Sequence, residues 1–502
     1  MRTGAEYRDA LRDGRVVYVM GEGRVDDVTT HPATAAVVEE YVAWYDRHRD
    51  PAWAETLLRP DGVPWAFTTP QGTSDLLGLG KSFAKTCFLS AGNITHDPAY
   101  GHLIAMGIKN AVATHAKSQG AGDEPLARAE AYRAMIAETG RFITFSSGGA
   151  PIGFRMRPDP ADRAAIKIVR ETDRGLVLSG RVGMHTSPAY AEDVYVGALC
   201  GLQYGGHPQS FVVEVGAKGV TTLCRKSAVR DPNPFLSPLS SRFDELDGQL
   251  WLDEVLIPWE RLFPVDLNLE PVARWLMWHH LYGWGARVEF SLGLALALTD
   301  AMGLRNNDAT TEYLIDLLTS VQTIRACQLA AAHQPEPTLL GYAAPNHAHV
   351  MAGGVTLFKT RQQVSELLRI IPGSSLVVAP SDSDLATPGL AAGLEEAFAG
   401  GGYTAAQRAA LLQLAWDHVS SGLDGRESSF ELHASGGMPS WRGRLRMSFA
   451  DYNPLANAVL KQLDCDMPAI DLSSIAARPM AHRRVNNVPP PPSAPLGAGD
   501  KK

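Results

Sequence analysis

His96 and Tyr100, in the segment Thr95-His96-Asp97-Pro98-Ala99-Tyr100, are the two side chains whose types and spacing best suit acid–base chemistry. Asp97 followed by Pro98 reads as an N-cap and first helical position. The helix so predicted places Leu103, Ile104, Ile108 and Ala111 on one face with Tyr100. His96 then stands just before a helix N-terminus, and Tyr100 lies in the first turn. The positive end of the helix dipole disfavours an imidazolium there. A neutral ring at that place can accept a proton near pH 7. The plainer alternative is a loop histidine that satisfies a cap and does no chemistry.

Other motifs exclude more than they assign. Gly78-Leu79-Gly80-Lys81-Ser82 invites a phosphate-loop reading, but Asp75 stands where that pattern needs its first glycine. No G-x-G-x-x-G follows a strand, so a Rossmann pyridine-nucleotide site is not expected and any electrons arrive by another route. A net charge of −8 without a Lys/Arg-rich block argues against a dedicated nucleic-acid binder. The five cysteines are widely spaced with no C-x-x-C pair, which fits reduced thiols in a cytoplasm and no metal site. The opening Met1–Glu6 has no apolar core of a signal peptide, and no apolar run approaches the roughly 18 residues of a membrane span. The pairs His279-His280 and His347/His349 have spacings that put two rings on different helix faces, so they read as structural.

These residues need a scaffold, and the periodicities describe one. Apolar positions fall mostly at period two before Pro258-Trp259 and at period three to four after it. Pro238–Phe263 is thus the seam between a β-rich and an α-helical layer, a common place for a large planar cofactor. We expect a mainly helical region over 1–145, a β-rich domain over 146–270, a helical bundle over 271–480 and a Pro/Gly-rich tail over 481–502. Ile166–Val169 and Leu176–Leu178 flank a hairpin turn at Asp173-Arg174-Gly175. Gln203–Gln209, with Gly205-Gly206-His207-Pro208, reads as an exposed loop able to cover a substrate. Helices over Phe290–Met302, Thr311–Ala332, His347–Ile371 and Thr404–Ser420 suggest an antiparallel bundle, with Thr404 as an N-cap.

Several phrases carry a resemblance. They are Asp27–Pro32 (DVTTHP), Glu138–Gly140 (ETG), Glu171–Gly175 (ETDRG), and Pro238–Glu245 (PLSSRFDE) followed by a strand and Val255–Glu260 (VLIPWE). Together they resemble the oxygenase component of two-component 4-hydroxyphenylacetate 3-monooxygenases over roughly residues 3–450. The resemblance implies an α+β, acyl-CoA dehydrogenase-like fold: N-terminal α domain, middle β-barrel domain and C-terminal four-helix bundle, assembled as a homotetramer. It implies FAD used as FADH2, delivered by a separate NAD(P)H–flavin reductase. With O2 and a flavin C4a-hydroperoxide, it implies hydroxylation of an aromatic, phenolic small molecule.

Residue by residue, Tyr100 matches a family contact to the phenol oxygen, whereas His96 stands where the family has arginine and Phe145 where it has histidine. The resemblance therefore implies that Tyr100 orients the substrate oxygen, His96 serves as base and Phe145 packs on the ring, with Gly205 and His207 on the substrate-covering loop. Ser146, His185, Thr186 and Ser187 fall on strands along the flavin. His433, Ala434, Ser435 and Gly436 resemble a flavin-binding phrase, and Arg426 is offered to a pyrophosphate. The altered pocket leaves alternatives open: flavin-dependent N-oxidation or desaturation, a CoA-ester dehydratase with an iron–sulfur cluster held by clustered Cys and His, or a non-catalytic flavin-binding homologue.

Overall fold

Alternating apolar residues between Val16 and Pro264 build two β-sheets that bury one face of each against the other. The computed structural model describes residues 1–120, 122–148, 164–229 and 231–477. Its strands are β1 (Val16–Val19), β2 (Gly23–Val25), β3 (Ile143–Gly148), β4 (Lys167–Thr172), β5 (Gly175–Thr186), β6 (Asp193–Leu199), β7 (Gln203–Tyr204), β8 (His207–Glu214), β9 (Val220–Cys224), β10 (Asp247–Pro258) and β11 (Leu262–Pro264). Among the described residues one sheet has the order β2-β1-β9-β10-β5-β4 and the other β11-β8-β6-β3. Leu176, Leu178, Val196, Phe211, Leu250 and Leu252 fill the space between the sheets. Among the described residues the middle region expected as a barrel is therefore a pair of sheets and no closed barrel. The reason is connectivity: β1, from the N-terminal region, pairs in parallel with β9 and extends one sheet past any closure.

The segment expected as a loop at 203–209 is a tight hairpin. Tyr204 pairs with His207 across Gly205 and Gly206, whose φ angles of 60° and 82° lie in the left-handed region such two-residue turns require. The turn residues were legible, but strands only two residues long on one side were not.

Helices α1 (Ala35–Arg47), α2 (Thr73–Leu89), α3 (Pro98–Gln119) and α4 (Glu124–Thr139) precede or flank the sheets. The predicted start of α3 is as observed: Asp97 Oδ1 accepts from the Tyr100 amide at 2.9 Å, with Pro98 in the first turn. After the sheets come α5 (Glu270–Ala301), α6 (Asp308–His333), α7 (His347–Ile370), α8 (Ala405–Val419) and α9 (Gly422–His433). Thr404 caps α8 in a reciprocal box with Gln407. Helix α5 begins well before the predicted Phe290. It packs against α2, α3, α6 and α7, so Trp275, Trp278, Leu281 and Trp284 are buried around its circumference and no stripe marks its start.

The described chain forms two compact units, Met1–Glu431 and Leu432–Lys502. The expected boundaries near 145 and 270 fall inside the first unit, at strand β3 and at the first turn of α5. The tail expected from 481 lies outside the described residues. Among the described residues no helix is long and apolar enough to cross a membrane.

Burial holds three histidines neutral: His48 and His185 are pushed down to about 4 and His102 to about 3. Each is depressed below its unfolded value of about 6.5, so the unfolded chain binds the extra proton first. Stability is full above about pH 6.5 and is lost as pH falls toward 4, by up to ~1.4 kcal/mol per pH unit for each group. Melting temperature recorded against pH should decline through that window. A flat profile would show that these rings are not neutral in the folded state.

Candidate active site

The N-terminus of α3 is pressed onto β3 by a glycine. A Cβ at Gly101 would lie 2.9 Å from the Ile143 carbonyl oxygen and 3.0 Å from its side chain. This close approach brings His96 and Tyr100 to the junction of α3, α5, α9 and the ends of β5 and β10. The His96 ring meets Tyr100 edge-on with centroids 4.5 Å apart, and lies 5.6 Å from His280 and 5.8 Å from Phe430. Tyr100 in turn stacks on His280 at 5.2 Å with an interplanar angle of 23°.

His280 thus belongs to this cluster, against the structural reading of the His279-His280 pair. Adjacent positions do diverge on a helix, yet α5 is enclosed on all sides. His279 packs on Tyr100 at 5.4 Å from a second direction, with Nε2 3.5 Å from Asp97 Oδ1. Burial would raise the Asp97 carboxyl. The approach of His279, the Tyr100 amide and Trp44 Nε1 at 3.1 Å outweigh it and hold Asp97 below its usual range. Burial, then the nearby Glu245 charge, lift the Tyr100 phenol well above its ordinary value, so it remains a proton donor throughout the neutral range.

Beneath His96 lies a buried network of charge. Glu245 is wholly enclosed; its Oε1 accepts from the His96 amide at 2.9 Å and from Ser187 Oγ at 3.1 Å. Its Oε2 lies 3.7 Å from His96 Nδ1 and 3.7 Å from Arg426 Nη2. Arg426 grips Asp247 with both prongs, Nε to Oδ2 at 2.7 Å and Nη2 to Oδ1 at 2.6 Å. Arg225 reaches the same carboxylate at 3.0 Å. The offered pairing of Arg426 with a pyrophosphate is corrected accordingly: its fork already faces a carboxylate of matching geometry.

Thr186 Oγ1 donates to Asp247 at 2.9 Å, and Ser187, at φ 62°, binds Glu245 and Tyr41. Ser146 Oγ donates to the carbonyls of Gly148 at 3.2 Å and Gly183 at 3.4 Å. These three hydroxyls, expected to point at a flavin edge, are engaged within the protein: Thr186 by Asp247 at the start of β10, Ser187 by Glu245 just before it, and Ser146 by carbonyls of β3 and β5. His185 differs: Nδ1 sits 2.9 Å from the Gly183 carbonyl, and Nε2 is buried with no hydrogen bond from a described residue.

Phe145 alternates with Thr144 and Ser146, so its ring leaves β3 on the opposite face. It stacks on Tyr195 at 5.6 Å, and its ring contact is with that residue, not with His96 or Tyr100. His207 packs edge-on against His115 at 4.9 Å. That residue is about 22 Å along α3 from Tyr100, at 1.5 Å per residue. Gly205 and His207 therefore belong to the far end of α3 and do not cover Tyr100. His433–Gly436 belong to the second unit, where Ala434–Gly436 form one turn of 3₁₀ helix with Ser435 at φ 52° and Gly436 at φ 81°.

Sequence reasoning missed Glu245, Asp247 and His280. The first two stand in and just after the phrase PLSSRFDE, where a run of acidic residues reads as a solvated turn. The available signal was that such a turn leads into a strand with apolar neighbours on both sides.

Sheets and helices in this order, with a buried polar cluster at their seam, define an α+β fold. It superposes with a TM-score of 0.83 on a crystal structure of the oxygenase component of 4-hydroxyphenylacetate 3-monooxygenase, at 24% identity over 92% of this chain and 98% of that one. Residues 3–264 match the family model for the 4-hydroxyphenylacetate 3-hydroxylase N terminal, and residues 274–461 that for its C terminal. The chain belongs to the 4-hydroxyphenylacetate 3-hydroxylase family. Among its relatives, the oxygenase component of a 4-nitrophenol 4-monooxygenase/4-nitrocatechol 2-monooxygenase from Rhodococcus opacus is 29% identical, covering 86% of this chain and 85% of that protein. The 4-hydroxyphenylacetate 3-monooxygenase oxygenase component of Thermus thermophilus is 28% identical, covering 86% and 91%. A monooxygenase from Streptomyces globisporus that acts on a carrier-protein-bound chlorohydroxyphenyl β-amino acid is 30% identical, covering 96% and 95%.

Proposed function

We propose that this chain is the oxygenase component of a two-component monooxygenase that hydroxylates a phenolic small molecule with FADH2 and O2. A separate NAD(P)H–flavin reductase supplies the reduced flavin, and the oxygenase works as a homotetramer. The observation that carries the reading is the buried His96–Tyr100 pair at the seam of sheets and helices, in a chain whose residues 3–264 and 274–461 match the family. The site also fits a flavin: His185 offers a buried ring nitrogen with no hydrogen-bond partner among the described residues, suited to a heteroatom of an isoalloxazine edge. FAD, when bound, supplies the oxygen-activating chemistry.

The rest falls to the chain's own groups. Tyr100 donates its hydroxyl to the substrate oxygen and fixes its place. His96 accepts the substrate's hydroxyl proton, which enriches the aromatic ring for attack on an electrophilic oxygen. His280 and Phe430, packed around His96, exclude water from the reacting centre. The rival dehydratase reading needs clustered Cys and His, and the described residues gather no group of three or more His, Cys, Asp or Glu able to hold a metal ion. A carrier-bound phenol is a second substrate form, favoured by the fuller coverage of the Streptomyces relative.

The test supplies the purified protein with FAD, a flavin reductase, NADH and ¹⁸O₂, using 4-hydroxyphenylacetate, 4-nitrophenol and a hydroxyphenyl β-amino acid, free and carrier-bound. We expect one ¹⁸O atom in a catechol product from at least one of them. Flavin oxidation with no labelled product from any would overturn the reading.

A further inference from the structure

The geometry points to a role for Glu245 as a positioning residue: we propose that it holds the proton of neutral His96 on Nδ1, so that Nε2 faces the substrate as acceptor. This rests on the reading of His96 as base. Three observations carry it. Glu245 is wholly buried, and one of its oxygens is already saturated by donors, the His96 amide and Ser187 Oγ. The other, Oε2, has no hydrogen-bond donor among the described residues and stands 3.7 Å from His96 Nδ1. That separation is longer than a hydrogen bond, and such contacts commonly tighten when substrate closes a site. Thr95 Oγ1, 3.2 Å from the same nitrogen, accepts from it in the same tautomer.

A buried carboxylate with an open lone pair is costly unless a cation or a donor faces it. Here two groups do, Arg426 on α9 and His96 ahead of α3, at equal distances on its two sides. Arg426 is itself committed to Asp247, which fixes it in place and keeps Glu245 ionised without neutralising it outright. Tyr41 on α1 lies 3.3 Å from Glu245 Oε1 and adds no charge. On the other side of His96, Tyr100, His280 and His185 are uncharged near neutral pH, held so by burial. Glu245 is thus the charged group that faces the His96 ring nitrogen.

In the reaction step the substrate O–H bond breaks, the electron pair stays on oxygen and the proton goes to Nε2. The ring becomes an imidazolium with both nitrogens protonated, sandwiched between Glu245 and the new phenolate. Glu245 takes no proton. It favours the tautomer before the transfer and the cation after it.

The test reads His96 directly. Long-range ¹H–¹⁵N spectra of imidazole-labelled full-length protein, with the His96 signals identified by their loss in His96→Gln, report tautomer and titration midpoint without any substrate. We expect wild-type His96 to be the Nδ1–H tautomer. In Glu245→Gln the Nε2–H form should dominate and the midpoint should fall by about one pH unit or more, since removing a facing charge favours the neutral ring. Glu245→Asp should keep the tautomer with a smaller fall. If the glutamine variant does not fold, the aspartate variant decides alone: an unchanged midpoint overturns the inference.

Hydroxylation gives a second reading. In Glu245→Gln the acid limb of the kcat profile should move to lower pH, with a plateau about 10-fold lower. The double variant with His96→Gln should be no slower than His96→Gln alone, because both act through one ring. Independent, multiplying losses would overturn the inference. Should Glu245 control the tautomer while His96→Gln leaves hydroxylation intact, the positioning stands and the reading of His96 as base falls.

Discussion

In His96→Gln, hydroxylated product should form about 10²–10⁴-fold more slowly, the usual contribution of a positioned general base, while reduced flavin is still consumed by O2. The loss is specific to oxygen insertion because His96 lies among aromatic rings and not in the hydrogen-bonded frame that holds α3 on the sheet. The cap of α3 is made by Asp97 Oδ1, which accepts the Tyr100 amide at 2.9 Å. The backbone of His96 is tied to the fold by its amide, which donates to Glu245, and its carbonyl, which accepts from the Tyr41 hydroxyl at 2.9 Å; a glutamine keeps both. The alternative of a loop histidine that serves a cap therefore loses its task to its neighbour. If His96 were only packing, glutamine would cost stability and leave the ratio of product to NADH consumed unchanged. That ratio is the measurement: we expect it to fall toward zero with the melting temperature little changed. An unchanged ratio would remove His96 from the chemistry.

What could be read in the chain before its structure was the frame of this site, and the limits of that reading have physical causes. The start of α3 was legible because a cap and its proline are local rules, obeyed within four residues. Four helices after Pro258 were legible from their periods, although α5 hid its first twenty residues by being buried on every side. The division of the middle region into two sheets was not legible, because one of them is extended by β1 pairing with β9 across some two hundred residues.

The site divides in the same way. His96 and Tyr100 lie on either side of the cap Asp97, four residues apart, so their meeting follows from the local geometry of a capped helix start. Glu245, His280 and Arg426 reach them from three distant elements, and no spacing announces that. Phe145 failed as a neighbour of Tyr100 for a smaller reason: in a strand, one position decides which face a ring takes. Placing a family histidine's successor in the pocket assumed a face that the Phe145–Tyr195 pair does not support.

Arg426→Met should cost about 3–5 kcal/mol of unfolding free energy, the range for breaking a buried ion pair by removing one partner. The substitution preserves most of the volume over the Phe430 ring, where the guanidinium now lies 4.3 Å from the centroid. What it abandons is charge: Asp247, Glu245 and Glu427 all face Arg426. Arg225 still holds Asp247 at 3.0 Å, which puts the expected loss toward the lower end of that range.

The pH dependence separates this cause from lost packing. In the wild type, burial would raise the Asp247 carboxyl, but Arg426 and then Arg225 hold it far below its usual range. Its stabilisation is complete above the unfolded value of about 3.9 and disappears as pH falls toward the folded one. Without Arg426 the buried carboxylates take up protons above their ordinary values, so the variant loses stability as pH rises where the wild type does not. The two urea-unfolding curves should be furthest apart near pH 7 and converge below about pH 4. Adding Asp247→Asn should recover part of the neutral-pH loss, since the pair is coupled through contact. A gap that stays constant from pH 4 to pH 8 would mean that Arg426 stabilises the seam by shape, and that the charge beneath His96 is held by something else.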